Sequence, residues 1–257
     1  MGLPFDIAYV FTFIPKLAST LLLTLGIVAG SLGSGLLFGL IAALPRLYRI
    51  PVLEQIAVAY ASFFRGTPIL IQLFLIYYGL PELLKMVHID ITRLPVLVFV
   101  ILTYGLHTGA FVSETIRGAI LAVDRGQVEA AYALGMTGPQ AFLRVAAPQA
   151  LAIAVPVLAN QTLALLKETS LAFTLGVMEL SGKAQSLARI TQHFLEAYLA
   201  LALIYLAVAF VLEKLLLALE RRLLRHERPE ETAGRFRLLK GLTLRRPASE
   251  MRGGAPS

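Results

Sequence analysis

The chain contains no cysteine, which excludes disulfides, thiolate metal sites and cysteine nucleophiles. It is also poor in charge. Charged residues fill 15% of its 257 positions against 57% for hydrophobic ones, well away from an ordinary soluble domain. No P-loop, HExxH pair, metal-ligand cluster or nucleophile elbow occurs, and Gly182-Lys183 lacks the upstream glycine and the following hydroxyl residue of a P-loop. ATP hydrolysis by this chain alone is therefore not expected. The formal charge of +7 is concentrated at one end, since ten Lys/Arg and four Asp/Glu lie from Arg221 onward. That location argues against a nucleic-acid surface.

Long apolar runs bounded by charges fill most of the rest: residues 17–44, 56–81 broken only by Arg65, 94–113, 145–166 and 197–212. A span needs about 20 apolar residues, with shorter cores completed by their flanks, so the pattern predicts an all-α membrane protein with five transmembrane helices. The runs are too long and continuous for barrel strands. The first shows no cleavage-site pattern and more spans follow, so it reads as a retained helix.

Five spans put the termini on opposite sides, and the basic residues choose between the two arrangements. With the N-terminus outside, the inner segments carry Arg46, Arg49, Arg117, Arg125, Arg144, Lys214, Arg221, Arg222 and Arg225. The outer segments carry only Lys16, Lys85, Arg93, Lys183 and Arg189. The C-terminus is thus expected in the cytoplasm, as is the segment between the third and fourth helices.

Within the spans a few phrases stand out. Helix one holds Gly26, Gly30, Gly33, Gly35 and Gly39, including two small-xxx-small pairs that suit close helix packing in lipid. GSGLLFG has the wrong spacing for a dinucleotide fingerprint. In helix two, residues 63–72 read FFRGTPILIQ. Pro68 removes a backbone donor and bends the helix, while Arg65 either snorkels to the inner interface or serves a structural or gating role facing the bundle. Residues 79–95 read as an outer connection with a helical turn. Helix three carries His107, read as a packed or hydrogen-bonded residue, and Glu114 with Arg117 on one face, paired with each other or with the next segment. Helix four is expected to start after Pro148 and to hold Pro156, Asn160 and Gln161 before Lys167, Glu168, Thr169 and Ser170. Those four polar residues are followed by a further apolar stretch, which suggests a broken element lining a cavity. The simpler alternative ends helix four there and adds an interfacial helix.

Residues 129–150, EAAYALGMTGPQAFLRVAAPQA, are too polar to span a bilayer. Glu129, Ala130, Ala131, Ala133 and Leu134 include strong helix formers, and Gly135 can end a helix in a left-handed conformation. Thr137 or Gly138 can cap a second short helix with Pro139 in its first turn. A compact knob results, with small residues on its face and Tyr132, Met136 and Phe142 projecting, suited to a groove on another protein.

This segment resembles the EAA loop of ABC importer permeases: Glu-Ala-Ala, three residues, Gly, then a spaced Ile-x-Leu-Pro. Glu129, Ala130, Ala131, Gly135, Val145 and Pro148 fall at those spacings, with Ala147 where leucine is usual. FFRGTPILIQ, SETIRGAI and KETSLAFTLGVMEL are similar to the polar amino acid uptake branch, with Ala119 where a second glycine is frequent. The resemblance covers roughly residues 15–225. It implies a type I ABC importer permease fold over residues 1–225, with the coupling loop at about 125–148. The tail over 226–257 extends past the resemblance; rich in Arg, Glu, Pro and Gly, it is expected to be a basic, disordered cytoplasmic extension. The resemblance further implies a multi-pass subunit of the bacterial cytoplasmic (inner) membrane that moves polar or charged amino acids delivered by an external solute-binding protein. A second permease chain, identical or similar, would complete the dimeric pore, and a pair of ABC ATPase subunits would bind ATP and magnesium, this chain holding no cofactor or metal. Glu129, Ala130, Ala131, Gly135 and Pro148 would serve ATPase coupling. Arg65, Thr67, Gln72, Lys167, Glu168, Thr169 and Ser170 would serve the substrate pathway. The competing class is an ion-coupled secondary transporter, which would show an internal repeat; none is visible.

Overall fold

The computed structural model describes residues 5–224; the expected tail over 226–257 lies outside them. The described chain is helical in nine elements. These are α1 (Ile7–Ala18), α2 (Leu21–Leu47), α3 (Leu53–Gly66), α4 (Ile69–Lys85), α5 (Val96–Leu121), α6 (Arg125–Ala133), α7 (Gly138–Leu175), α8 (Leu180–Thr191) and α9 (Phe194–Leu223).

Four helices, α2, α5, α7 and α9, are long and apolar enough to cross a membrane, and the bent pair α3 and α4 makes a fifth candidate. Four of the five expected spans are therefore present and the bent pair stands where the remaining one was expected, all with altered edges. The first expected run, 17–44, joins two elements: α1 is a separate helix that ends at Ala18, and the span proper is α2. Val10, Phe13 and Leu17 of α1 are buried against Ala184 and Ala188 of α8 and Ala197 and Leu201 of α9.

The second span is broken by 115°. A residue before proline is pushed out of the α region, and Thr67 is extended at φ −117°, ψ 147° just ahead of Pro68. The break frees carbonyls that lipid cannot satisfy. Gln72, fully buried, restores them: its Nε2 donates to Phe64 O at 2.8 Å and to Thr67 O at 2.9 Å.

The fourth span corrects the expected start after Pro148. Helix α7 runs without a break from Gly138, so the second short helix of the knob is the beginning of the span itself. A wide π turn over Phe142–Ala146, closed by Ala147 N–H to Phe142 O, precedes Pro148. The widened turn absorbs the donor that proline lacks. The same arrangement recurs in α4, where the π turn Leu75–Gly79 precedes Pro81.

Helix α5 is the centre of the bundle. It runs parallel to α2, with Gly35 against Thr108 and Gly105, and Gly39 against Val112 and Gly109. A Cβ on Gly35 would fall 2.8 Å from Thr108 Cβ and 3.2 Å from Gly105 O, so this small-xxx-small pair sets the approach of the two backbones. Gly26 and Gly33 meet nothing within 4 Å and do not serve that contact. Helices α4 and α7 run antiparallel to α5, Gln72 meeting His107 while Tyr77 meets Phe99, and Gln161 meeting Thr115 while Glu168 meets Tyr104. Ile27, Leu73, Val100, Tyr104, Leu165 and Leu166 form the core they share.

After Glu168 the helix tightens to a 3-10 turn, Thr169–Leu175, with Ala172 fully buried. Glu179 then caps α8, accepting from Ser181 N–H at 2.8 Å and Gly182 N–H at 2.9 Å. The irregular stretch is thus anchored in the protein on one side, at Thr169, Ala172, Val177 and Glu179, while Thr174, Gly176 and Met178 are exposed.

Candidate functional site

Two places in the fold gather the residues singled out by the sequence. The first is a cavity of about 120 Å³ between α5 and α7, lined by His107, Thr108, Phe111, Gln161, Leu165 and Glu168 among others. Its geometry starts from the break in the second span. Because Gln72 Nε2 is committed to Phe64 O and Thr67 O, its Oε1 faces His107 Nδ1 at 2.9 Å. The amide orientation assigns the proton of that contact to the histidine, since a carbonyl oxygen can only accept. In the neutral imidazole Nε2 is then a bare acceptor, 4.0 Å from Glu168 Oε2.

Glu168 is held just before the 3-10 turn of α7 by its backbone, with Tyr104 Oη donating to Glu168 O at 2.7 Å. Gln161, one side of the cavity, donates through Nε2 to Thr115 Oγ1 at 3.0 Å, and its buried Oε1 has no partner among the described residues. Two acceptors therefore stand together at this cavity, His107 Nε2 and the Glu168 carboxylate, while Gln161 Oε1 is buried in the wall beside them. The chemical complement of two such acceptors is a hydrogen-bond donor of positive charge.

Of the expected pathway residues, Glu168 lines this cavity. Thr67 and Gln72 stand behind it, with Thr67 Oγ1 2.9 Å from Gln72 Nε2, and Gln72 positions His107. Lys167 is exposed and outside the lining, Ser170 is half-buried, and Thr169 is buried with its hydroxyl on Leu166 O at 2.7 Å. Arg65 turns instead to Glu114, at 3.2 Å, over the ring of Phe111. The sequence reading missed His107 and Gln161 as lining residues. Their signal was polarity inside apolar runs, but the pairing of His107 with Glu168 depends on two antiparallel helices meeting.

The second place is the knob. Asp124 caps α6, accepting from Gly126 N–H at 2.8 Å. The helix ends in a Schellman motif: Met136 N–H donates to Ala131 O at 3.1 Å and Gly135 N–H to Tyr132 O at 2.9 Å, with Gly135 at φ 79°. Gln140 Oε1 then accepts from Thr137 N–H at 3.0 Å at the start of α7, with Pro139 in its first turn. Helix, glycine break and helix thus fall where expected. Glu129 and Ala130 are exposed, Ala131 is buried as the knob's own core, and Pro148 is half-buried at the base of α7. One projection differs: Met136 is half-buried, and Leu134 projects instead, 80% exposed, beside Tyr132, Phe142 and Leu143. The Schellman bond folds Met136 back over α6 and leaves Leu134 outside.

Over the described residues, fold and sites together define an all-helical, multi-pass membrane protein with a cavity lined by both apolar and polar side chains among its central helices and a helix-turn-helix knob at one end of the bundle. The chain belongs to the family described as binding-protein-dependent transport system inner membrane component, whose model matches residues 35–225. It is 45% identical to the L-cystine transport system permease protein TcyL of Bacillus subtilis (strain 168) over 201 residues, 78% of this chain and 84% of the relative. It is also 45% identical to the probable amino-acid ABC transporter permease protein PatM of Vibrio harveyi over 202 residues, 78% of this chain and 88% of that one. A crystal structure of an amino acid ABC transporter with histidines matches at a TM-score of 0.76 and 33% identity, covering 86% of this chain and 100% of its own.

Proposed function

We propose that this chain is the membrane subunit of an ATP-driven importer of amino acids, polar or charged, in the bacterial cytoplasmic membrane. Its N-terminus lies outside and its C-terminus in the cytoplasm, which puts the knob on the cytoplasmic side. A second permease chain completes the pore, an external binding protein delivers the solute, and a pair of ATPase subunits binds ATP and magnesium. This chain supplies the pathway and the coupling, and no hydrolysis.

One observation carries the reading. The knob is tied at both ends to the two helices that build the cavity: α6 follows α5 after Ala122, Val123 and Asp124, and the second arm of the knob is the first turn of α7. Ala119 and Val123 pack on Ala146 and Ala150 at that junction. A push on the knob is therefore passed to α5, which holds His107, and to α7, which holds Gln161 and Glu168. An ammonium group, such as the α-amino group of an amino acid, fits between His107 Nε2 and the Glu168 carboxylate when the helices are close. Separating the helices breaks the set and releases the group. Exposed Tyr132, Leu134, Phe142 and Leu143 give the knob an apolar surface for a groove on the ATPase.

Two substitutions test the two halves of this reading. Gly135→Asp is expected to leave the membrane subunit folded and to lose the ATPase from the purified complex. Glu168→Ala is expected to abolish uptake with the complex intact. Undiminished ATPase association in the first, or wild-type uptake in the second, overturns the corresponding assignment.

A further inference from the structure

A second polar cluster lies toward the knob end of the bundle, next to the cavity, with the ring of Phe111 between Arg65 and the cavity. Glu114 of α5 meets three guanidiniums from three helices: Arg46 of α2 at 2.7 Å, Arg65 of α3 at 3.2 Å and Arg117 of α5 at 2.9 Å. Both carboxylate oxygens are taken, Oε1 by Arg46 and Arg65, Oε2 by Nε and Nη2 of Arg117. Among the described residues no other carboxylate lies within ion-pair distance of these arginines. The cluster holds two positive charges in excess.

Such an excess is costly beside lipid unless something answers it. The negative end of α2 answers part, since Arg46 sits in its last turn, but a helix end supplies only about half a charge. Arg117, four residues short of the end of α5, lies beyond the last turn's reach. Donors are in surplus as well. Arg46 has a side chain nine-tenths buried, and its buried Nη1 has no hydrogen-bond partner. Arg65 and Arg117 remain open, at 44% and 36% exposure, so a further anion can reach the cluster from outside.

Depth selects the anion. Arg46 is one residue from the end of α2, and Arg117 is about 6 Å along the axis from the end of α5, which is headgroup level for helices that span. Forked arginine donors suit phosphate oxygens bidentately, and basic pockets between spanning helices accept anionic headgroups. We propose that Arg46, Arg65 and Arg117, gathered on Glu114, bind the phosphate of an anionic lipid headgroup. The inference is independent of which solute the cavity carries.

The test uses the full chain in nanodiscs of phosphatidylcholine doped with phosphatidylglycerol, counting the anionic lipid retained per chain by native mass spectrometry. Wild type is expected to enrich phosphatidylglycerol. Arg117→Gln, at a part-exposed position, should weaken retention about tenfold, the equivalent of one charge-assisted hydrogen bond. Glu114→Gln should strengthen it, because removing the sole carboxylate raises the net charge; a cluster with only a structural role gives no such gain. Inorganic phosphate titrated into the same discs separates the sources. Displacement of lipid by phosphate at high concentration supports a headgroup site, whereas phosphate binding without lipid enrichment assigns the cluster to a soluble anion and overturns the lipid assignment. Retention indifferent to both substitutions overturns the proposal outright.

Discussion

Replacing Gly135 with asparagine, alanine and valine separates the backbone requirement of the knob from any contact its surface makes. The glycine sits at φ 79°, and a Cβ built on it meets nothing within 4 Å. Sterics within the chain therefore add nothing, and the whole local cost is that of holding an L-residue in the left-handed region, about 1 to 2 kcal/mol. Asparagine tolerates that region best, alanine bears the ordinary cost, and a β-branched residue bears the most. About 1 kcal/mol lowers the population of the Schellman conformation roughly fivefold relative to its alternatives. If that conformation is the one that docks, ATPase affinity falls in the order glycine, asparagine, alanine, valine. The assay is titration of purified ATPase onto the permease in nanodiscs, with the helicity of each variant as the folding control. Equal loss for asparagine and valine would show that side-chain size at the docking surface, not backbone conformation, governs the contact. No loss for valine would refute the role of the motif altogether.

Three further outcomes follow from the packing. Gln72→Leu should destabilise the protein by about 2 kcal/mol or more, because Phe64 O and Thr67 O lose their donor beside lipid; thermal unfolding in detergent reads it, and an unchanged midpoint contradicts it. Gly35→Ala should cost about 1 to 3 kcal/mol by forcing α2 from α5, whereas Gly33→Ala, with open space around its Cβ, should be neutral or stabilising by up to about 1 kcal/mol; the same sign for both would sink the close-approach argument. Burial pushes the Glu179 carboxyl above the usual range, against the N–H bonds from Ser181 and Gly182. A raised carboxyl contributes its stability in full at acid pH and loses it as pH rises through the raised value. Amide exchange in α8 should therefore quicken as pH rises above the ordinary glutamate range, beyond its intrinsic base-catalysed rise, and Glu179→Gln should remove that excess.

Much of this was legible because it was local. The residue before Pro68 had to leave the helix, and Gly135 had to end one, whatever surrounded them. The apolar runs gave the spans for the same reason, with errors where a local cue was overridden. Pro148 should have started a helix, but the π turn over Phe142–Ala146 let the span begin ten residues earlier, at Gly138. What stayed hidden was tertiary. Gln72, singled out for the pathway, also braces broken backbone, a role that no local cue announced. His107 meets Glu168 across 61 positions, and Arg46 meets Glu114 across 68, separations at which no periodicity informs. Leu134 and Met136 changed places because the Schellman bond, not helix periodicity, decides which side chain turns in.

The most direct test of the account is uptake of a labelled amino acid into proteoliposomes holding this chain, its ATPase and its binding protein, with ATP on the knob side and no ion gradient. Accumulation that requires ATP, stops on Glu168→Ala and uncouples from hydrolysis on Gly135→Val is the predicted result. Accumulation driven by an ion gradient in the absence of the ATPase would contradict it.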